Sequence, residues 1–284
     1  MKIGVTGATG QLGRIVIKEL FKRTSAGNIV ALVRKPERAA DLNIEVREFD
    51  YSKPGELADA LKGIDKLLLI SGSEVGKRAQ QHANVIDAAK KAGVKFIVYT
   101  SLLHADSSTL VLAGEHLESE NLLKNSGIPY TILRNGWYTE NYTDSLAGVL
   151  ASGILLGSSG DGKISSATRA DYAEAAAVVL TTTGHENKIY ELAGDEAFTM
   201  SGLAEALSQQ TGKKIVYQNL PVDEYAGALV KAGLPEGAAH FIAGTHVSTE
   251  KGDLFDNSHQ LSKLIGRPTT SLSRAVADAL ENSK

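Results

Sequence analysis

Short runs of apolar residues alternate with helical patterns along the first half of this 284-residue chain. Most of the runs are apolar throughout, which is typical of strands buried on both faces of a sheet. Alternating strands and helices predict a parallel sheet with right-handed crossovers. The sequence therefore predicts an α/β fold with a doubly wound parallel sheet. The predicted strands cover residues 2–6, 28–34, 44–49, 66–71, 95–101 and 130–134, and the predicted helices cover residues 11–22, 56–61, 78–92 and 115–125.

Three glycines follow the first predicted strand and open the first predicted helix. Gly7 permits a tight turn, Gly10 lets the backbone approach a pyrophosphate, and Gly13 lets the helix pack closely against the sheet. The helix N-terminus adds free N–H groups and a dipole that favour phosphate. A strand before this G-x-x-G-x-x-G pattern and a helix after it predict dinucleotide binding, with a purely structural turn as the alternative. The predicted contacts are Gly7, Thr9, Gly10, Gln11, Leu12 and Gly13.

The end of the second predicted strand indicates which dinucleotide is bound. NAD-binding sheets carry an acidic residue here to bind the ribose hydroxyls, whereas this chain carries Arg34. A guanidinium binds a 2′-phosphate with two hydrogen bonds, so Arg34 favours NADPH, and a solvated arginine is the alternative. Asp50, after the third strand, is placed either to reach the adenine or to form a turn.

Further cofactor contacts are expected where later strands end, because ligands of a doubly wound sheet bind beyond the carboxyl ends of its strands. Ser71, Gly72 and Ser73 follow the fourth strand, and Ser101 follows the fifth. Arg78 opens the next helix and is interpreted either as a phosphate contact or as an exposed helix residue.

The second half of the chain is less regular after about residue 150. We expect residues 1–150 to form an NADP-binding Rossmann domain and residues 151–284 to form a smaller α/β lobe that binds substrate. The glycine-rich segment 157–162 is interpreted as a hairpin or a flexible rim. Strands are predicted over residues 188–193 and 214–220, and helices over residues 170–181, 200–210, 223–232 and 271–281.

From Gly7 to Gly13 the chain resembles the short-chain dehydrogenases/reductases, which use a Tyr-x-x-x-Lys pair as catalytic acid. None of its nine tyrosines has a lysine four residues later. The glycine loop, the missing pair and residues 130–135 together resemble the NmrA-like atypical reductases. Within that family the chain is most similar to the bacterial NADPH-dependent quinone reductase branch. The segments that carry this resemblance are residues 70–76, 99–106, 135–142, 167–173 and 264–268.

The resemblance implies a quinone reductase that uses NADPH. A ketone needs a proton donor as its alkoxide forms, whereas a quinone accepts hydride readily and gives a delocalised phenolate. Such an enzyme must mainly hold the nicotinamide against a flat, electron-poor acceptor. The alternatives are reduction of triphenylmethane dyes or similar xenobiotics, and a non-catalytic redox sensor that binds NADP.

The resemblance also implies where the nicotinamide and the acceptor lie. It assigns contacts to Asn135, Gly136, Trp137 and Tyr138, after the sixth predicted strand. Trp137 and Tyr138 could stack on a quinone or pack the seam between the domains. Tyr138 and His104 are candidate proton donors, although a loop histidine is more often only solvated. Two further residues are candidates. Asn141 could orient a carbonyl group or cap a helix, and Arg169 could face the cleft.

Composition excludes several other classes. The chain has no cysteine, so disulfides, thiolate zinc sites and iron–sulfur clusters are excluded. No histidine spacing suggests a metal site. A net charge of -3 without a basic run argues against a nucleic-acid partner. No apolar stretch reaches membrane-spanning length and the N-terminus is interpreted as a strand, so we expect a cytoplasmic protein. The sequence leaves the oligomeric state open, a homodimer included.

Overall fold

The computed structural model describes residues 1–144 and 146–282. Seven parallel strands form the main sheet in the order β3-β2-β1-β4-β5-β6-β8, and β7 pairs in parallel with β9 in a separate small sheet. The expected doubly wound sheet is therefore confirmed. Within the described ranges the strands are β1 (Ile3–Thr6), β2 (Ile29–Val33), β3 (Glu45–Glu48), β4 (Lys66–Leu69), β5 (Phe96–Leu102), β6 (Tyr130–Asn135), β7 (Ile154–Gly157), β8 (Lys188–Leu192) and β9 (Val216–Asn219).

Helices cover both faces of the main sheet, and β1, β2 and β5 are accordingly rich in apolar residues and buried along their whole length. One apolar cluster joins the sheet to α1 and α7, and a second joins it to α2, α3 and α4. The described helices are α1 (Gln11–Phe21), α2 (Pro54–Ala60), α3 (Arg78–Ala92), α4 (Ala113–Lys124), α5 (Glu140–Thr143), α6 (Ala147–Ser152), α7 (Arg169–Thr181), α8 (Met200–Thr211), α9 (Val222–Lys231), α10 (Glu236–Glu250), α11 (Gln260–Ile265) and α12 (Leu272–Asn282), and two 3₁₀ helices cover Ala26–Asn28 and Pro36–Leu42.

The division expected at residue 150 differs from this arrangement. Strand β8 pairs in parallel with β6 and extends the main sheet, and α7 packs against α1 beneath it. The chain therefore leaves the sheet after β6 and returns before it builds most of the smaller lobe. Ala173, Ala175, Ala176 and Ala177 of α7 are buried and allow this close packing, which a sequence pattern alone does not locate.

The smaller lobe contains β7, β9 and helices of the C-terminal part of the chain. The segment after β7 is not a hairpin, because β7 pairs in parallel with the distant β9. It is packed rather than free, since a Cβ on Gly162 would lie 2.6 Å from the carbonyl oxygen of Thr249 in α10. Helix α10 had no predicted counterpart, because its glycines and β-branched residues are weak helix formers. None of the described helices combines the length and the apolarity needed to cross a membrane.

Candidate functional site

The glycine loop between β1 and α1 forms a phosphate-sized cradle of backbone. Gly7 has φ 58°, and its carbonyl oxygen accepts a 2.8 Å hydrogen bond from the Gly10 N–H. A Cβ on Gly13 would lie 2.3 Å from that oxygen, so only glycine permits this approach of helix and loop. No side chain caps α1, which leaves the first N–H groups of the helix available to an anion.

A cavity of about 760 Å³ extends from this cradle along the carboxyl ends of the neighbouring strands. It lies on both sides of the β1–β4 junction, where the strand order reverses and where such sheets bind ligands. Of the predicted cofactor contacts, the cavity brings together Gly7, Thr9, Gly10, Arg34, Asp50, Ser71, Gly72 and Ser73.

The mouth of the cavity carries three cations from the end of β2 and the following 3₁₀ helix: Arg34, Lys35 and Arg38. Arg34 is two-thirds exposed, and its Nη1 lies 3.5 Å from Glu74 Oε1 across the cavity. Asp50 Oδ1 accepts hydrogen bonds from Ser52, which lower the pKa of Asp50, and the charge of Arg34 adds to this effect. The mouth therefore offers a predominantly positive site with Arg34 held by a weak, exposed ion pair.

The loop after β4 is held from below by buried polar side chains. His82 Nε2 accepts a 3.0 Å hydrogen bond from the Gly72 N–H, and Arg78 Nε donates to the Gly72 carbonyl at 2.8 Å. Arg78 also pairs with Glu115 at 2.8 Å and is 4% exposed. Arg78 is thus neither an exposed helix residue nor part of the cavity lining, because its charge is satisfied within the protein.

A buried ionic network lies behind the ends of β5 and β6. Arg134 Nε and Nη2 donate to the two carboxylate oxygens of Glu120, at 2.8 Å each, and Nη1 donates to Asp106 and Glu191. Burial raises the pKa of Glu120, but hydrogen bonds from Arg134 and Ser101 outweigh it and leave the pKa below its usual value. The Ser101 hydroxyl donates to Glu120 at 2.7 Å, so it is used by this network.

Asn135 and Tyr138 lie together at the end of β6, where Asn135 has an unpartnered side-chain oxygen among the described residues and Tyr138 has a closely packed ring. Asn135 is 5% exposed, and its Oδ1 has no hydrogen-bond partner among the described residues. The Tyr138 ring packs edge-to-face on Tyr172 and lies under the Arg169 guanidinium, 4.8 Å from ring centroid to Cζ. Burial raises the pKa of Tyr138, while Asn135 and Arg169 act in the opposite direction. A buried acceptor without a donor is rare, which makes Oδ1 a candidate binding position.

The remaining predicted residues surround this pair in different ways. Arg169 also lies near Glu140 and Asp144, and its Nη2 donates to Asn141 Oδ1 at 3.3 Å. Trp137 is half-buried and packs on the apolar cluster of the smaller lobe. Gly136 is closely enclosed, since a Cβ there would lie 3.0 Å from the Tyr172 hydroxyl.

His104 lies at the end of β5 with a left-handed backbone, φ 52°. Its N–H donates to Glu191 Oε2 at 3.0 Å, and its Nε2 lies 3.3 Å from Asp256 Oδ2. The sequence did not connect these partners, because Asp256 is 152 positions away. No group of three or more potential metal ligands occurs within residues 1–144 and 146–282.

Sequence reasoning missed several residues of the cavity. Tyr51 lines it and donates to the Ile70 carbonyl at 2.8 Å, and Glu74 and Gln81 line it as well. Arg38 could have been found, because it follows Arg34 and Lys35 in the same basic segment. Leu12, by contrast, is buried in the core, so it can offer only its backbone.

Comparison with known proteins agrees with this geometry. A family model described as NAD(P)H-binding matches residues 7–183. Quinone oxidoreductase 2 of Escherichia coli is 57% identical over 278 residues, which cover 97% of each chain. The structure of the NADPH-dependent quinone oxidoreductase QOR2 of Escherichia coli complexed with NADPH superposes with a TM-score of 0.96, at 56% identity over 98% of this chain and 99% of that one.

A second kind of reductase is also similar. The structure of the Citrobacter triphenylmethane reductase complexed with NADP(H) superposes with a TM-score of 0.96. Its sequence is 42% identical, over 98% of this chain and 100% of that one.

Proposed function

This chain belongs to the NAD(P)H-binding, NmrA-like family, and from that premise we propose that it is an NADPH-dependent quinone reductase. The observation that carries the proposal is a single cavity that joins a glycine cradle to a cationic mouth, in a chain without a Tyr-x-x-x-Lys pair. The identity of 57% to a quinone oxidoreductase along almost the whole chain supports the choice of acceptor.

The residues present fit NADPH. The glycine cradle and the uncapped N-terminus of α1 would bind the pyrophosphate. Arg34, Lys35 and Arg38 would bind the 2′-phosphate, which NADH lacks. Asn135 Oδ1 is buried and unpaired among the described residues, and it would accept a hydrogen bond from the nicotinamide carboxamide.

NADPH, when bound, supplies a hydride to the acceptor. Trp137 and Tyr138 provide aromatic surface for a flat quinone at the end of β6, and Arg169 fixes the Tyr138 ring from the opposite side. The residues orient the acceptor and exclude water from it, which is catalysis by proximity. No strongly basic alkoxide forms, so the missing Tyr–Lys pair does not prevent turnover.

Triphenylmethane dyes are a second candidate acceptor class, favoured by the 42% identity to a triphenylmethane reductase. A cationic dye becomes neutral when it accepts hydride, so the same site could serve it. We also propose a cytoplasmic location, with which the absence of cysteines agrees. We further propose a homodimer, which light scattering of the purified protein would test.

The first experiment measures oxidation of NADPH and NADH with and without a simple quinone, for the wild type and for Arg34→Ala. Loss of a guanidinium–phosphate contact should weaken NADPH binding about tenfold to a hundredfold and leave NADH unchanged. Arg274→Ala on α12, outside the cavity lining, is the control. NADPH binding without quinone-dependent or dye-dependent oxidation would instead support a redox sensor.

A further inference from the structure

The backbone of His104 is held in a conformation that few residues other than glycine adopt. Such strain persists only where the surroundings impose it, and it concentrates at functional sites. Here the Leu103 N–H donates to the Asn135 carbonyl at 3.0 Å, and the His104 N–H donates to Glu191 at 3.0 Å. Glu191 is itself bound by the buried Arg134, so the network behind β5 and β6 fixes the position of His104.

The His104 ring is oriented by a carboxylate from the smaller lobe. Asp256 Oδ2 lies 3.3 Å from His104 Nε2, whereas Asp256 Oδ1 accepts from the N–H and the hydroxyl of Ser258, at 2.9 and 2.6 Å. The Asp256 N–H donates to Ser165 Oγ. The carboxylate is 12% exposed, so both of its oxygens are committed in a largely dry position.

The other ring nitrogen of His104 remains accessible. No hydrogen bond to Nδ1 occurs within the described parts of the chain, and the side chain is 30% exposed. The charged groups that face this histidine are Asp256 from the smaller lobe, Glu191 from β8 and Asp106 from its own loop, with Arg134 of β6 between the last two. A carboxylate on one nitrogen and an open second nitrogen are the arrangement that lets histidine pass on a proton.

We propose that His104 protonates the quinone as it is reduced, and that Asp256 is the positioning residue for His104. The proposal rests on the quinone reductase function above. The quinone gains a hydride from the cofactor and a proton from the His104 imidazolium, and it leaves as hydroquinone. Neutral His104 then takes a proton from solvent at its exposed edge. Asp256 holds the ring and stabilises the imidazolium between these two steps.

The chain offers a matched control for Asp256. Asp253 lies on the same segment and binds the same loop, through the Thr109 N–H and hydroxyl at 2.8 and 2.6 Å, but not His104. Asp256→Asn and Asp253→Asn therefore both weaken docking of the segment on the loop, and only the first removes a charge from His104. His104→Gly relieves the backbone strain and leaves space for added imidazole.

The experiment measures steady-state quinone reduction in H₂O and D₂O for these three variants, with NADPH binding followed by fluorescence. Asp256→Asn should lower kcat about tenfold with KM nearly unchanged, and its solvent isotope effect should exceed that of the wild type. His104→Gly should lose about a hundredfold in kcat and recover part of it with imidazole. Asp253→Asn should keep kcat within about twofold. A dye cation needs no proton, so any dye reduction should survive in His104→Gly.

Equal losses in Asp256→Asn and Asp253→Asn, or a His104→Gly variant with more than half of the wild-type kcat, would overturn the proposal. Either result would leave the quinone reductase function intact. If the wild type binds NADPH but reduces no quinone, the proposed function fails before these variants are compared.

Discussion

The two ends of the proposed cofactor and acceptor site differ in whether backbone or side chains form them. At the phosphate end the site is backbone, namely a left-handed Gly7 and a Gly13 that allows helix and loop to touch. Its charged groups, such as Arg34, are exposed and weakly paired. At the proposed acceptor end the structure is made of side chains, namely an Asn135 oxygen without a hydrogen-bond partner among the described residues and, behind it, the buried ion pair of Glu120 and Arg134.

This difference teaches which changes each end can tolerate. A backbone site fails when a Cβ is added, because its geometry leaves no room. A side-chain site fails when a charge loses its partner, because a buried ion cannot be solvated. Exposed ions at the phosphate mouth can be changed with small effects on the stability of the fold, because water and salt screen them in the free protein.

The largest expected effect on cofactor binding comes from Gly13→Ala. The added Cβ would lie 2.3 Å from the Gly7 carbonyl oxygen and 2.8 Å from the Ala8 Cα, so α1 or the loop must move. We expect a loss of stability of about 1–3 kcal/mol and NADPH affinity lowered by on the order of a hundredfold, measured by urea unfolding and fluorescence titration. Gly27→Ala is the control, because nothing lies within 4 Å of its Cβ. Equal affinities for the two variants would show that the phosphate end does not depend on close backbone contact.

The largest expected effect on stability comes from Arg134→Leu, which tests the acceptor end. The variant leaves Glu120 buried without its guanidinium, which should cost about 3–5 kcal/mol near neutral pH, measured by urea unfolding. Arg134→Leu/Glu120→Gln should recover part of this loss, since the buried carboxylate, which keeps only Lys124 and Ser101 as partners in the single variant, is then replaced by a neutral amide. If the double variant is less stable than the single one, the charge of Glu120 is not the cause.

The same network predicts a pH dependence. The pKa of Glu120 is lowered in the folded protein, so its ionised form contributes stability above the usual carboxyl pKa and loses it as the pH falls through the lowered value. Arg134→Leu removes this contribution. The stability difference between wild type and variant should therefore stay nearly constant from about pH 8 down to the usual glutamate pKa of 4.5, and shrink as the pH falls below it. A stability difference that does not change with pH would contradict this prediction.

The smallest expected effect is at the mouth, in Glu74→Gln. Glu74 lies 3.5 Å from Arg34 and would compete with a 2′-phosphate for it. Its neutralisation should tighten NADPH binding about two- to fivefold at low salt and leave NADH unchanged, as fluorescence titration would show. Glu48→Gln, an exposed acid paired with Lys53, is the control. Equal changes for both cofactors would argue against competition at Arg34.

Much of the main sheet could be predicted because its signals are local. All six strands predicted in the first half exist, and most of them contain apolar runs, such as Phe96–Tyr99, that are buried on both faces of the sheet. The return of β8 to this sheet could not be predicted, because its pairing with β6 depends on contacts across more than fifty residues. Helix α10 was not predicted, because its glycines and β-branched residues are weak helix formers.

The sequence by itself determined the glycine cradle and the position of Arg34, because a turn needing glycine and a strand end are properties of adjacent residues. Only the tertiary structure decided that Arg78 supports the Gly72 loop from within, and that Asp256 meets His104. These roles depend on which residue, distant in the chain, each side chain contacts. No local pattern encodes such contacts, since they follow from how the sheet and the smaller lobe pack together.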